Sequence, residues 1–454
     1  MMEFALNYKL YDSESNLRNE GEARATLDEK YLALTVMFGE PILLAYTDIL
    51  GISDQDYKID LFLTSKERLN LSDLGYQYED FLFQLYKLRN ELMLKYLLME
   101  EAPIQAGFEA QYAMLDPKGQ ITQTGNCEIR FYESALLVLP QKNEPIRFPY
   151  CYVSNISKED YKLTITDEFS EKVRLDRIGQ NFDAVAKALS DALNKMNFRT
   201  QQNIKELIPE DTPITISKIA ALMKDGRATR RKEIEQLSSD FWRRLTKKMD
   251  GAGITTECEF LNSLSAKDEN CVGIKRGLMG NLTGTYTWLL FPLVDGATKR
   301  FCNTIALEAF NSENREQSDS ETEEANQNQE DQKPATTGAT YFFRAISRKE
   351  YPQTKDEDST NQLDSFIKNI NRSMIEINFR REPIYLTENQ LESTEYAQYR
   401  FAIAKIPSLK TLRDLFVGRA IHGSQEQWKA DVTSLLAFNT KSIDDNEKWI
   451  KGDQ

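Results

Sequence analysis

Residues 40–93 read EPILLAYTDILGISDQDYKIDLFLTSKERLNLSDLGYQYEDFLFQLYKLRNELM, and residues 144–197 read EPIRFPYCYVSNISKEDYKLTITDEFSEKVRLDRIGQNFDAVAKALSDALNKMN. The two stretches align without a gap at an offset of 144 − 40 = 104, with 14 identities in 54 positions. A repeat of this length indicates one domain that has been copied. Many matched positions are apolar core positions, whereas surface positions such as Leu43 against Arg147 and Asn70 against Arg174 differ in charge, so we expect one fold that presents two different faces.

Each copy has the pattern of several short strands followed by one helix. In the second copy, residues 146–156 predict a strand that is bent at Pro149, and residues 161–166 alternate apolar and polar side chains like a half-buried strand. Gly179 ends the strand pattern. A helix is predicted after it, with apolar residues at helical spacing: Phe182, Val185, Leu189, Leu193 and Met196.

In these strands and in the helix that begins at Phe182, the repeats resemble the pleckstrin-homology-like (PH-like) fold, in the compact form of bacterial PH-like and GRAM-like domains. The resemblance covers about the first 198 residues. It implies a strongly bent antiparallel sheet whose open end is closed by a C-terminal helix.

A third helix carries the same pattern, because residues 183–199 match residues 364–380 at an offset of 364 − 183 = 181. Strand-like runs at 286–294, 301–310 and 340–347 precede it, which predicts a third, diverged PH-like domain. Residues 311–338 interrupt that domain with an acidic segment that lacks large apolar side chains, and we expect this insertion to be disordered.

The predicted fold class is therefore α+β, with tandem PH-like domains and helical regions. The predicted divisions are PH-like domains at 1–102 and 103–200, a helical connector at 201–265, the third PH-like domain at 266–382 and a helical C-terminal region at 383–454.

Charge and composition narrow the class of protein. The net charge of −14 disfavours non-specific nucleic-acid binding, which needs cations that neutralise phosphates. The N-terminus lacks a signal-peptide pattern, and no apolar run is long enough for a transmembrane segment. The five scattered cysteines form no CxxC pair, which favours reduced thiols and a cytoplasmic location.

The sequence holds a single histidine, His422, which excludes a His-rich zinc or iron site. We expect this histidine at a helix end or on the surface. The sequence shows no catalytic constellation, so we predict no catalytic residue, no metal site and no cofactor, and we expect the chain not to be an enzyme.

A glycine-rich run at residues 273–284 is a candidate anion site. Its glycines would let backbone N–H groups approach a phosphate, and two cations add charge. The candidate residues are Lys275, Arg276, Gly277 and Gly280. The spacing does not match GxxxxGK[ST], and two tight turns explain the glycines equally well.

A basic stretch at residues 227–248 is a candidate docking face. Its arginines, Arg230, Arg231, Arg243 and Arg244, lie on helical sequence with interleaved acidic residues. A solvated charged face, docking to an acidic surface, and binding of nucleic acid or anionic lipid are all open explanations for this stretch.

These observations leave three hypotheses for function. The first is a non-catalytic cytoplasmic scaffold or adaptor, whose repeated PH-like domains offer several protein-binding faces. The second is a peripheral membrane-binding module that uses the basic stretch 227–248 on anionic lipid. The third is a phosphate- or nucleotide-binding enzyme that uses the run 273–284. Protein partners are expected and nucleic acid is disfavoured.

Overall fold

The computed structural model describes residues 3–36, 39–96, 102–251, 253–276, 285–294, 301–310, 339–344, 356–422 and 424–441. The chain forms two compact units. The first comprises Met1–Leu193 and Asn389–Lys405, and the second comprises Asn194–Glu388 and Ile406–Gln454. Both units combine helices with curled antiparallel sheet, so the predicted α+β class is confirmed. The two repeats share the first unit instead of standing as separate compact bodies.

The first repeat is one curled sheet followed by a helix. Its strands are β1 Glu3–Tyr11, β2 Leu17–Leu27, β3 Tyr31–Val36, β4 Ile42–Ala45, β5 Ile49–Gln55, β6 Lys58–Leu63 and β7 Arg68–Ser72. They pair in the order β4-β3-β2-β1-β7-β6-β5, and every pair is antiparallel. Helix α1, Tyr78–Tyr96, then places Phe81 and Leu85 in the same core as Phe4 and Leu34.

The second repeat builds the same sheet again. Its strands are β8 Gln105–Leu115, β9 Ile121–Phe131, β10 Ala135–Pro140, β11 Ile146–Pro149, β12 Val153–Glu159, β13 Lys162–Asp167 and β14 Lys172–Asp176. Their order, β11-β10-β9-β8-β14-β13-β12, is that of the first repeat. Helix α2, Phe182–Leu207, follows, and its residues from Asn194 onward belong to the second unit.

Backbone details recur at the same offset of 104. The 3-10 turn Tyr46–Asp48 returns as Tyr150–Tyr152. Both residues of the β5–β6 turn, Asp56 and Tyr57, have left-handed φ values of 50° and 58°, and the equivalent Asp160 and Tyr161 have 48° and 58°. Left-handed φ at both central positions suits a tight hairpin turn. The duplication predicted from the sequence is thereby confirmed down to its turns.

The two repeats differ in how their third strand is covered. Strand β3 alternates buried and exposed residues, whereas five of the six residues of β10 are buried. On β10, Leu137 and Leu139 stand where β3 has Ala33 and Thr35. Leu94 of α1 packs against Leu137, with Tyr132 and Leu139 beside them. Helix α1 therefore has two apolar contacts, one with its own sheet and one with the outer face of the second repeat.

The second unit contains a third antiparallel sheet. Its strands are β15 Thr229–Arg230, β16 Cys271–Arg276, β17 Thr285–Val294, β18 Phe301–Phe310, β19 Ala339–Arg344 and β20 Phe416–Ile421. They pair in the order in which they occur in the chain. The sheet extends beyond the predicted domain 266–382 at both edges, because β15 and β20 come from the flanking regions that were predicted to be helical. The acidic insertion 311–338 lies outside the described residues.

Helices cover this sheet. The helices of the second unit are α3 Pro213–Leu222, α4 Arg231–Glu235, α5 Phe241–Gly251, α6 Thr255–Leu264, α7 Asp356–Glu376, α8 Glu382–Tyr385, α11 Pro407–Leu415 and α12 Gln425–Lys441. Helix α9 Glu388–Leu391 passes into the first unit at Asn389, and α10 Ala397–Lys405 belongs to the first unit. The apolar stripe predicted on the third helix is buried throughout: Leu363, Phe366, Ile370, Met374 and Ile377. Trp242 and Trp428 are also core residues.

The expectation that His422 lies at a helix end or on the surface is wrong. The residue follows β20, and α12 packs over that strand and buries the imidazole. His422 Nε2 lies 2.8 Å from Thr340 Oγ1, and Trp428 Nε1 donates to the same hydroxyl at 3.0 Å. Because Thr340 accepts from Trp428, it can donate its own proton to a neutral His422. Burial lowers the pKa of His422 to about 4.

The buried histidine predicts a pH dependence of stability. The folded-state pKa of about 4 lies below the ordinary value of 6.5, so the unfolded chain takes up the proton first as the pH falls. The contribution of His422 is therefore fully present above pH 6.5 and is lost as the pH falls toward 4. Between pH 7 and pH 5 the chain should lose roughly 2 kcal/mol more stability than a His422→Gln variant.

The measurement is urea unfolding followed by tryptophan fluorescence, because all four tryptophans lie in the second unit. Equal losses in the wild type and in His422→Gln would show that His422 does not titrate in this way.

Candidate functional site

The first repeat holds a segment from the far end of the chain. This strap, Asn389–Lys405, belongs to the first unit, although the residues on either side of it belong to the second. Its helix α10 packs against α1, β5 and the 3-10 turn Tyr46–Asp48. The strap buries four of its side chains: Leu391, Tyr399, Phe401 and Ala402. The groove between α1 and β5 is thus a helix-binding site that is filled from within the chain.

The Glu144 carboxylate binds two cations in this groove. Glu144 Oε1 accepts from Arg89 Nη2 at 3.0 Å and from Lys405 Nζ at 2.6 Å. Arg89 also donates to the backbone of β5, with Nε and Nη2 at 3.2 and 2.9 Å from the Ile49 carbonyl oxygen. Lys405 Nζ and Arg89 Nη2 both donate to the carbonyl oxygen of Leu50. The first repeat, the second repeat and the strap therefore meet at Glu144.

The two cations depend on Glu144 to different degrees. Arg89 is 0% exposed, so removal of its carboxylate would leave a buried charge, whereas Glu144 itself is 41% exposed. Burial lowers the pKa of Lys405, the charge of Arg89 lowers it further, and Glu144 only partly offsets both effects. The Arg89 guanidinium is therefore an integral part of the fold, whereas the Lys405 ammonium is the less stably bound of the two cations.

This arrangement occurs once, although the fold occurs twice. At the offset of 104, Arg89 corresponds to Leu193 and Leu50 corresponds to Ser154. Asn90, which donates to the Asn143 carbonyl at 2.7 Å, corresponds to Asn194. The second repeat therefore lacks the arginine that holds the carboxylate in the first.

Removing each cation in turn should have unequal effects. Arg89→Met leaves the β5 carbonyl groups without their buried donor, and it should destabilise the first unit by about 3 kcal/mol. Lys405→Met removes the charge that is costly to bury and should destabilise that unit by less than about 1 kcal/mol. Hydrogen–deuterium exchange of the β1–β7 amides measures both effects. Equal loss of protection in the two variants would contradict the assignment of Arg89 as the cation on which the stability of the first unit depends more.

The predicted arginine set divides into two pairs. Arg230 forms ion pairs with Glu269 at 2.8 Å and with Asp364, and Arg231 pairs with Glu235 at 2.8 Å. Arg231 also lies over the Trp242 ring, with its guanidinium carbon 5.1 Å from the ring centre. These two arginines are committed to contacts inside the second unit.

The other pair is closer to solvent. Arg243 is 72% exposed and pairs at 2.8 Å with Asp240, which directly precedes its helix, and Arg244 pairs with Glu210 at 2.9 Å. Surface pairs of this kind contribute less than about 1 kcal/mol, so they can exchange partners. Docking to an acidic surface stays a prediction, and it now concerns Arg243 and Arg244.

The predicted anion site is only partly described. Lys275 Nζ pairs with Asp225, a buried carboxylate that also pairs with Arg199 at 3.3 Å. Arg276 pairs with Glu206 at 2.8 Å. Gly277 and Gly280 lie outside the described residues. Binding of an anion by this run stays a prediction, and Lys275 already has a structural partner.

Gly273, at the start of the same run, is required for close packing. Trp288 Nε1 donates to the Gly226 carbonyl oxygen at 2.7 Å, directly over this glycine. A Cβ atom at position 273 would lie 2.2 Å from Trp288 Nε1 and 2.3 Å from that carbonyl oxygen. This glycine thus makes room for an indole ring.

Gly273→Ala should therefore destabilise the second unit by about 2–4 kcal/mol, because backbone and indole must both move. Urea unfolding followed by tryptophan fluorescence measures the change. Gly251→Ala is the matched control, since a Cβ there meets nothing within 4 Å and alanine favours the helix. A neutral Gly273→Ala would contradict the packing explanation.

A buried polar cluster lies between the third sheet and its helices. Glu308 Oε1 accepts from the Tyr286 hydroxyl at 2.8 Å and pairs with Arg381 Nε at 3.2 Å. Burial raises the pKa of Glu308 even though Arg381 opposes the shift, and burial with the charge of Glu308 raises the pKa of Tyr286. The adjoining cavity has a volume of about 20 Å³, and Trp288 and six other side chains line it together with these three residues.

That volume accommodates about one water molecule, so the cluster as it stands has no room for a substrate. Its evident effect is to tie Arg381, which precedes α8, to strand β18. The sequence itself indicates this cluster. In the run FCNTIALEAF at 301–310, Glu308 is the only charged residue and all the others are uncharged. A buried strand tolerates such a charge only with a partner.

Within the described part of the chain, no group of three or more His, Cys, Asp or Glu side chains has a geometry that could hold a metal ion. Comparison of the chain with protein-family models and with curated proteins found no match.

Proposed function

We propose that the chain is a non-catalytic cytoplasmic scaffold or adaptor, built on PH-like domains that bind partner proteins through their helices. The observation that carries this proposal is the strap. Lys405 donates to the carbonyl oxygen of Leu50, a residue 355 positions earlier in the chain. The first repeat thus already acts as a receptor for a distant helix, and the second repeat receives α1 on its outer face.

The PH-like part of the proposal is supported by the strand order. Two sheets with seven antiparallel strands each follow the same order, and each is followed by one helix that begins after a 3-10 turn at Gly75 or Gly179. A third PH-like copy stays a prediction. Its helix α7 has the expected buried stripe, while the described strands of its sheet pair in simple sequential order.

The cytoplasmic location is supported by the cysteines. Cys127, Cys151, Cys258 and Cys271 are buried free thiols. Burial raises the pKa of the Cys127 and Cys258 thiols to about 12, which keeps them protonated and inert. Among the helices that the structure describes, none is long and apolar enough to cross a bilayer.

Two observations favour the scaffold over the alternatives. Anionic lipid needs available cations, and Arg230 and Arg231 of the basic stretch are engaged with acidic side chains of the same unit. A phosphate- or nucleotide-binding enzyme would need the charge of Lys275, which is paired with the buried Asp225.

Affinity purification of the tagged chain from its own cells tests the scaffold. We expect a protein partner to copurify under gentle washing, because a receptor for helices should retain one. Recovery of the chain alone, together with a monomeric mass in solution, would contradict the proposal.

Flotation with anionic liposomes tests the membrane alternative. The chain should stay in the unbound fraction, because its net charge is −14 and Arg243 is the only arginine of the candidate set that is mostly exposed. Flotation that is abolished by charge reversal of Arg243 and Arg244 would support lipid binding and count against the scaffold.

A further inference from the structure

We infer that the strap Asn389–Lys405 is a releasable ligand of the first repeat, and that the groove it covers binds a helix of a partner protein. The inference rests on the proposed function and identifies the surface and the kind of partner. The groove is the one between α1, β5 and the 3-10 turn Tyr46–Asp48. The partner helix would carry buried aromatic and small apolar side chains and a lysine at its C-terminal end.

The strap buries a short row of apolar side chains. Within α10, Tyr399, Phe401 and Ala402 are buried, and Ala404 is exposed. Tyr396 stacks on Tyr399 within the strap, with ring centres 6.0 Å apart. Part of the aromatic surface of the strap is therefore covered by the strap itself and not by the groove. A second ion pair, Arg400 to Asp48, spans 3.8 Å with both side chains 39% exposed, which makes it a weak contact.

The charges at Glu144 make the strap the removable partner. One carboxylate faces two cations, so binding of Lys405 places it beside the like charge of Arg89. Release of the strap leaves the Arg89–Glu144 pair and the contacts of Arg89 with the Ile49 and Leu50 carbonyl oxygens in place. The sheet and α1 therefore keep their polar contacts without the strap.

The contacts of Lys405 indicate which polar group a competing helix must bring to the groove. Its last turn has to bring an ammonium group to the Leu50 carbonyl oxygen and to Glu144 Oε1, as Lys405 does. A cation in the last turn of a helix also complements the helix dipole. A helix with an acidic residue at that position would be repelled by Glu144.

The test uses full-length chains and a fluorescent peptide with the sequence of residues 389–405 as the probe. In the wild type the strap occupies the groove in cis, so peptide binding should be weak. Lys405→Glu in the chain repels Glu144 and frees the groove, and the peptide should then bind at least about tenfold more tightly by anisotropy. Lys410→Glu makes the same charge change at an exposed position outside the strap and should behave like the wild type.

Peptide binding has its own control. A peptide with the Lys405→Glu change should bind the freed chain at least about tenfold more weakly, since it loses its charge pairing with Glu144. Equal binding of both peptides, or no binding of either to a folded Lys405→Glu chain, would overturn the inference. Loss of hydrogen-exchange protection across β1–β7 in that chain would also overturn it, because the strap would then be integral to the fold.

Affinity purification separates this inference from the scaffold proposal. The Lys405→Glu chain should recover several-fold more of the partner than the wild type. Equal recovery by both chains would leave the scaffold standing and exclude release of the strap as its control.

Discussion

The first unit depends on the burial of one guanidinium. Arg89 is fully enclosed, so its charge is tolerable only while Glu144 and the β5 carbonyl oxygens surround it. Arg89 belongs to the first repeat, Glu144 to the second, and Lys405 to a segment far along the chain. A single electrostatic requirement thus joins three regions that the sequence separates widely, and it explains why the two repeats form one compact unit.

The second constraint on the first unit is apolar. Both copies close their own core with one helix, and they differ in the outer face of the third strand. Leu137 and Leu139 made β10 apolar on both faces, while Ala33 and Thr35 left the matching face of β3 partly polar. A strand that is covered on both faces loses its alternation, because every side chain then points into protein.

Much of the fold follows from the sequence. The offset of 104, the alternating strands and the helix stripes predict the two sheets and their closing helices, since apolar periodicity reports directly on burial. The continuous apolar run ALLVLP at 135–140 also carries the signal that both faces of this strand are buried. The bounds of the third sheet were less accessible, because β15 has two residues and β20 lies more than 70 residues after β19.

The candidate site could not be predicted in the same way. Glu144, Arg89 and Lys405 are ordinary charged residues in the sequence, and only the folded chain brings them within hydrogen-bond distance. The residues that sequence patterns favoured, such as Lys275 and Arg230, have cationic side chains, but carboxylates of the same unit pair with them in the structure. Local patterns report which side chains are charged, whereas three-dimensional proximity decides which charges remain available.

The position of the strap in the chain has a consequence for synthesis. Both seven-stranded sheets are complete once residue 176 has left the ribosome, but Lys405 emerges 229 residues later, since 405 − 176 = 229. At ribosomal rates of about 5–20 residues per second, the groove beside α1 is empty for roughly 10–50 s in every new molecule. A nascent chain therefore presents this surface before its own helix exists, and a partner bound cotranslationally would meet no competitor.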